Sequence, residues 1–335
     1  MGVALTEAHC LKVLSALRIH GTKREAALSL GIPESTFKDQ IRYAEREYGL
    51  TIDEAAPVVA EEPVEAISKP RVRVPYFRRD TPPDGPIIRV LGMGDVHKKP
   101  GRTDEPVILA ARHAAETNPD YIVQIGDWLS LDSCSFHPAK GSLKDSNRPS
   151  FAEEIEAGEE SLYAFRKNCP DEIRKKITLG NHEHRAWRVA EMDPRIAGDF
   201  PRRVEQVFAQ YGWETHPYRE MVYIGGVGFT HVPCNQMGRE YGGKNSENTI
   251  GNDATHSLVW GHDHRFRTKT VPKIGLNNKI TLCNLGTCMP HGVIEDYNVG
   301  VTGWTYGVVD LRIQGGLIIS AKFIDMIELK ERYGD

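Results

Sequence analysis

Apolar positions along the chain change their period twice. Up to residue 50 they recur at helical spacing: Leu11, Val13, Leu14 and Leu17 form one stripe, and Phe37, Ile41 and Ala44 another. Between residues 51 and 86 no period is visible, and seven prolines interrupt the chain. From residue 87 onward, short continuous apolar runs alternate with helical stripes. Runs at 87–94, 121–125 and 176–179 predict buried strands, and helical patterns at 105–117 and 151–167 lie between them. The alternation predicts an α/β unit over 87–335, preceded by a small all-α unit over 1–50 and a Pro-rich, charged linker over 51–86.

Local chemistry sharpens the N-terminal unit. Gly21-Thr22 offers a helix stop followed by a new cap, and Glu25 stands three residues after Thr22, the capping-box spacing. A short helix carrying Ala26, Ala27 and Leu30 is predicted to end at Gly31, and Pro33-Glu34-Ser35 to open a third. This segment, residues 24–37, resembles the helix-turn-helix modules of DNA-binding proteins. The resemblance implies that Ser35, Thr36, Lys38, Asp39 and Arg42 lie on a recognition helix. A three-helix bundle used for protein contact is the alternative, because the unit carries nearly balanced charge.

Composition narrows the class. With 335 residues, 40% hydrophobic and 26% charged, the chain is long enough to bury a sizeable core. No apolar run approaches the length of a membrane span, and the N-terminus lacks a secretory pattern. The six cysteines form no C-x-x-C pair, so reduced thiols in the cytoplasm are expected. The net charge of −4 announces no basic nucleic-acid field. Within the linker, however, the signs are blocked. Asp53, Glu54, Glu61, Glu62 and Glu65 precede Lys69, Arg71, Arg73, Arg78 and Arg79. Such a stretch cannot repay its ordering entropy and reads as semi-extended.

The chemistry concentrates where the apolar runs end. Asp95 and His97 follow the first run, Asp127 the second, and Asn181-His182 the third; His231 and the pair His262/His264 come later. In α/β sheets, sites form beyond the carboxyl ends of strands. Aspartate, asparagine and histidine are N/O donors suited to Mn, Fe, Zn or Mg, and no cysteine stands among them. The x-spaced pairs Asp95/His97 and His262/His264 are expected to leave their strands on one face, by the two-residue period of a strand.

In this order, Gly-Asp-Val-His, Gly-Asp, Gly-Asn-His-Glu, His and Gly-His-Asp-His, the constellation resembles the calcineurin-like metallophosphoesterase superfamily over about residues 87–325. That resemblance implies a four-layer αββα sandwich of two mixed sheets with a dimetal site at the sheet edge. It implies that Asp95, His97 and His264 hold one ion, that Asn181, His231 and His262 hold the other, and that Asp127 bridges them. It makes His182 the group that assists the leaving oxygen, with a metal-bridging hydroxide as nucleophile. Two divalent ions are expected, manganese first. Arg185, Arg188 and Arg265 adjoin the motifs and are candidates for phosphate contact.

Two positions depart from the protein-phosphatase branch, whose motif continues G-D-x-x-D-R. Ser130 stands in place of the second Asp and Leu131 in place of the Arg. A Ser/Thr phosphatase assignment is thereby weakened, and Asp132 or Asp263 become candidates to orient His182. Joined to the N-terminal unit, the constellation leads to the expectation of a nuclease or phosphodiesterase acting on DNA. A phosphatase or nucleotide phosphodiesterase for a small-molecule or protein substrate is the alternative. A DNA-binding regulator with a vestigial metal domain is a third reading.

Overall fold

The computed structural model describes residues 5–51, 85–137, 141–193, 195, 198–243, 245–275, 278–295 and 302–334. Most of the expected linker at 51–86 therefore lies outside the described residues. The chain divides into two compact units, Met1–Lys69 and Pro70–Asp335.

The first unit consists of α1 (Glu7–His20), α2 (Lys23–Ser29) and α3 (Glu34–Tyr48). Its boundaries follow the local chemistry. Gly21, at φ 70°, closes α1 in the left-handed conformation that an L side chain resists. The Thr22 hydroxyl accepts from the Glu25 amide at 3.2 Å and so caps α2, and it donates to the Glu25 carboxylate at 2.9 Å, a bond to the hydroxyl in place of the Thr22 amide bond of a full capping box. Cys10, Val13, Leu14, Leu17, Ala26, Ala27, Phe37, Ile41 and Ala44 make one buried cluster. The two alanines let α2 lie close against its neighbours. Ser35, Thr36, Lys38, Asp39 and Arg42 are all exposed on α3.

The second unit is built on two sheets. Its elements run β1 (Ile88–Met93), α4 (Glu105–Thr117), β2 (Tyr121–Gln124), a 3-10 turn (Asp132–Cys134), α5 (Leu143–Ser146), α6 (Phe151–Asn168) and β3 (Arg174–Thr178). Then come α7 (Asn181–Met192), α8 (Asp199–Gln210), β4 (Trp213–His216), β5 (Val222–Ile224), β6 (Val227–Phe229), α9 (Ser246–Asp253) and β7 (Leu258–Trp260). Finally β8 (Phe266–Pro272), β9 (Lys279–Leu285), β10 (Gly307–Gln314), β11 (Leu317–Asp325) and α10 (Met326–Tyr333) complete the chain. One sheet has the order β11-β10-β1-β2-β3-β4 and the other β5-β6-β7-β9-β8. Strands β1 to β4 are mutually parallel, as are β6, β7 and β9, while β10, β11, β5 and β8 pair antiparallel, so both sheets are mixed.

The period-two alternation of the strands makes the layers. On β1, Val90 joins a cluster with Ile224, Phe229, Val259 and Leu285 of the other sheet. Its neighbour Leu91 joins Leu109, Leu162, Phe165 and Phe208 of the covering helices. Burial on both faces explains why these strands read as continuous apolar runs. The outer face of the second sheet is covered by α9, whose Ile250 packs with Leu258, Trp260 and Leu282. Helices, sheet, sheet and helix give the four-layer sandwich. Trp128 meets Phe165, Phe208 and Trp213 edge-on in this core, which accounts for those two tryptophans as packing residues. The segments at 132–150 and 232–253, which lack periodicity, each contain a short helix, α5 and α9.

Candidate metal centre

Each predicted ligand station lies just past the C-terminal end of a parallel strand: β1 delivers Asp95 and His97, β2 Asp127, β3 Asn181 and His182, β6 His231, and β7 His262 and His264. Parallel strands end together, so five distant chain positions meet at one sheet edge. The fine convergence has a different cause from the one expected. Strand periodicity does not aim the x-spaced pairs, because the backbone has already left the strand. His97, Asp127, His262 and His264 have φ of 48°, 54°, 72° and 59°, all left-handed. Non-glycine residues held there cost of order 1–3 kcal/mol each and cluster at functional sites.

Two donor groups result. In the first, His264 Nε2 lies 2.8 Å from Asp95 Oδ2 and 3.1 Å from His97 Nε2, and His97 Nε2 lies 3.8 Å from Asp95 Oδ2. In the second, His231 Nε2 lies 2.9 Å from Asn181 Oδ1 and 3.2 Å from His262 Nδ1, which is itself 2.9 Å from Asn181 Oδ1. Asp127 Oδ2 stands 3.4 Å from His231 Nε2 and 3.9 Å from His182 Nε2. Ligand atoms of Asp95, His97 and His264, of His97, Asp127 and His182, and of Asp127, His231 and His262 each lie within 4.8 Å of one another. Asp127 thus joins neighbouring groups. Its other oxygen accepts from the His182 amide at 2.8 Å.

The donors fit divalent cations. His231 Nδ1 faces the Ile125 carbonyl at 2.7 Å, an acceptor only, so Nδ1 carries the proton and Nε2 presents a lone pair. That lone pair faces the Asn181 oxygen at 2.9 Å, an arrangement of two acceptors that a cation satisfies. Electrostatics agree. Burial and the neighbouring carboxylates of Glu183 and Asp95 push Asp127 well above the usual carboxylate range. Burial also raises the Asp95 carboxyl, but His264 and the other imidazoles outweigh it and hold it at about 2. Burial, aided by neighbouring cationic groups, keeps His97 and His182 well below the ordinary histidine value and brings His262 to about 4. The lowered imidazoles of His97 and His262 present lone pairs to a cation.

Close packing supports these side chains. A Cβ on Gly180 would fall 2.0 Å from Asp127 Oδ1, so only glycine fits the turn before α7. The buried Glu183 carboxylate accepts from the amides of Gly180, Asp127 and Leu129 at 2.8, 2.9 and 2.8 Å, tying the turn after β3 to the turn after β2. This clamp was invisible in the sequence beyond the Glu of the Gly-Asn-His-Glu run. His182 is oriented by neither Asp132 nor Asp263: its Nδ1 meets the Ser130 carbonyl at 2.8 Å. Asp132 meets Arg185 at 3.2 Å, and Asp263 is engaged by Arg267 and Asn284. A backbone acceptor leaves no side-chain signature, so no motif could have revealed it.

Of the three arginines, Arg185 reaches the cluster, with Nη2 3.1 Å from His182 Nε2. Arg188 instead lies over the Phe136 ring at 4.9 Å, and Arg265 lies 3.8 Å from Asp263. Two aromatic rings border the donor groups. Trp304 meets His264 edge-on at 4.3 Å between centroids, and Tyr218 lies 6.1 Å from His231.

Metal removal has a predictable effect. Adding Mn²⁺ at about 100 times its dissociation constant to chelator-treated protein is expected to stabilise it by about 2.7 kcal/mol per filled site. In a domain of this size that is a rise in Tm of about 5–10 °C by thermal scanning. His264 is raised because Asp95 outweighs the effect of burial, and Asp127 is raised by burial. Protons held on these two groups must leave as a cation enters, so metal affinity is expected to increase with pH. A Tm indifferent to both chelator and Mn²⁺ would contradict this assignment of donors.

The sequence matches the calcineurin-like phosphoesterase family over residues 88–266. Among solved structures, the chain is similar to the phosphoesterase Yfce of E. coli, at 16% identity over 71% of this chain and 100% of that chain, with a TM-score of 0.30. It is also similar to a predicted phosphoesterase of Streptococcus pneumoniae, at 11% identity over 72% of this chain and 99% of that chain, with a TM-score of 0.27. A third is the zinc complex of Vps29 from Entamoeba histolytica, at 13% identity over 71% of this chain and 99% of that chain, with a TM-score of 0.29. Comparison with curated proteins gives no match. With the family match spanning more than half of the chain and the donor groups assembled where it lies, the protein belongs to the calcineurin-like phosphoesterase family and is a metal-dependent phosphoester hydrolase.

Proposed function

We propose that this hydrolase cleaves phosphodiester bonds in DNA. The observation that carries the reading is the helix-turn-helix order of α1 to α3, with Ser35, Thr36, Lys38, Asp39 and Arg42 exposed on α3, in the same chain as a phosphoesterase unit. A third helix with short polar and cationic side chains near its N-terminus suits base edges and phosphates of a major groove.

In the site, Asp95, His97 and His264 would hold one ion, Asn181, His231 and His262 the other, and Asp127 both. Two divalent ions, manganese first, supply Lewis acidity toward the phosphoryl oxygens and an activated water. The chain's own groups do the rest. The Asp127 carboxylate, fixed by the His182 amide, sets the spacing of the two donor groups. His182, held through Nδ1 by the Ser130 carbonyl, keeps Nε2 in the site to exchange a proton with the leaving oxygen. Asp95, His97, Asp127, His182, His231 and His264 are buried, which strengthens these interactions. The six cysteines are all free, which suits the cytoplasm, and among the described residues no helix is long and apolar enough to cross a membrane.

One observation favours the second reading, a phosphatase or nucleotide phosphodiesterase with a protein-binding N-terminal unit. Two of the cations on α3 are already paired, Lys38 with Glu34 at 2.6 Å and Arg42 with Asp39 at 3.6 Å. Such exposed pairs are worth little and exchange readily for phosphate. The readings separate in one assay, with Mn²⁺-loaded full-length protein acting on oligonucleotides, a cyclic nucleotide and a phosphopeptide. The DNA reading expects oligonucleotide cleavage, lost in His182→Ala. Reversing charge at Lys38 and Arg42 is expected to weaken duplex binding by about tenfold or more, by lost phosphate contacts and counterion release. Robust phosphopeptide hydrolysis without oligonucleotide cleavage would establish the second reading instead.

A further inference from the structure

The turn after β2 lacks a cation: Leu131, at φ 43°, is fully buried among the core residues that line the helices. The Ser130 hydroxyl is also turned away from substrate chemistry, donating to the His97 carbonyl at 3.0 Å. What this turn does present is a backbone oxygen. The Ser130 carbonyl receives His182 Nδ1 at 2.8 Å and Arg185 Nη1 at 2.8 Å, so one acceptor positions both side chains. His182 and Arg185 are three residues apart on α7 and therefore share a face.

Arg185 is then held at three points. Nη1 also meets Asp132 Oδ1 at 3.2 Å, and Nη2 lies 3.1 Å from His182 Nε2. The residue is 8% exposed, so the guanidinium is nearly desolvated. Its Nε–H and its second Nη2–H find no acceptor among the described residues. Arginine's planar fork matches the spacing of phosphoryl oxygens. His182 Nε2, which Nη2 meets, is in turn 3.9 Å from Asp127 Oδ2, so one imidazole separates the guanidinium from a carboxylate of the donor cluster.

We propose that Arg185 is the phosphoryl-binding guanidinium of this site, presented together with His182 by the Ser130 carbonyl. This rests on the hydrolase reading and names the residue that grips the non-bridging oxygens of its substrate. The charge spread over these oxygens in the transition state makes a preorganised cation effective. Arg188 and Arg265, with Phe136 and Asp263 as neighbours, are left outside this role.

The test compares full-length wild type with Arg185→Met and Arg185→Lys, loaded with Mn²⁺. Calorimetric titration with orthophosphate is expected to show binding weakened by about tenfold or more in Arg185→Met, with Mn²⁺ binding and Tm nearly unchanged. Hydrolysis of bis-p-nitrophenyl phosphate is expected to fall by about 10²-fold in kcat/KM, with partial rescue by added guanidinium ion. A purely structural role would lower Tm and Mn²⁺ affinity and show no rescue. Orthophosphate binding at wild-type strength in Arg185→Met would overturn the proposal. If Arg185→Met does not fold, Arg185→Lys decides on the same titration: weaker binding supports the fork, and unchanged binding overturns it. Wild type that binds orthophosphate through Arg185 yet cleaves no oligonucleotide would sink the DNA reading and leave this site standing.

Discussion

Asp127→Ala is expected to reduce phosphoester hydrolysis by at least about 10³-fold, and Asp127→Asn by nearly as much. The carboxylate belongs to two adjoining donor groups, with His97 and His182 on one side and His231 and His262 on the other. Asparagine keeps its shape, and an amide oxygen can still accept from the His182 amide at the place of Oδ1, now 2.8 Å away. It cannot supply negative charge to two cations at once, and its NH₂ would face His231 Nε2 where Oδ2 now lies at 3.4 Å. The loss is therefore one of charge rather than packing. Equilibrium dialysis is expected to show fewer bound Mn²⁺ ions per chain, with circular dichroism unchanged. Wild-type turnover by either variant would remove Asp127 from the mechanism.

Glu183→Ala carries the largest expected effect on stability, about 3–5 kcal/mol. Its side chain is fully buried, and three backbone amides from two different turns converge on it. Removing the carboxylate strands all three donors, each at a cost of about 1–3 kcal/mol, less whatever entering water recovers. Against a total stability of about 5–15 kcal/mol the variant is near the limit of folding. Glu183→Gln retains one acceptor oxygen and turns an NH₂ toward an amide, so an intermediate loss of about 2–3 kcal/mol is expected. Urea denaturation of the metal-loaded protein measures both. The same variants should bind Mn²⁺ more weakly, because Asp127 and the Gly180 turn before α7 are what the clamp holds. Stability within about 0.5 kcal/mol of wild type would show that the clamp contributes little.

These two residues mark how far the sequence could be read. Asp127 was visible because an N/O donor after a glycine at the end of an apolar run is a local pattern, repeated by Asp95, Asn181 and His262, while His231 follows Thr230 at the end of another run. Each pattern needs only its own strand to be recognised. Glu183 was present in the same motif, but its partners are backbone amides in other segments, and backbone groups are identical at every position. The Ser130 carbonyl was hidden for the same reason. The sequence directed attention to Asp132 and Asp263, whose side chains turn out to serve Arg185, Arg267 and Asn284.

The x-spaced pairs show a second limit. Their convergence was anticipated, but the strand period was the wrong cause. His97, His262 and His264 are turned by left-handed backbone that only the surrounding packing can impose on residues with a Cβ. Arginines resisted reading for a related reason. All three candidates stand near motifs, yet a long side chain is aimed by what it meets: Phe136 for Arg188, Asp263 for Arg265, and the Ser130 carbonyl for Arg185.

By itself, then, the sequence determined what depends on local order. Helical and strand periods, caps at Thr22 and Gly21, the succession of strand ends and the N/O character of the donors are all set by residues close in the chain. Tertiary structure alone decided which backbone oxygen orients His182, which arginine enters the site and how the donor side chains turn toward one another. Those outcomes depend on contacts between segments far apart in the chain, where directional hydrogen bonds and steric fit, rather than residue type, select the geometry.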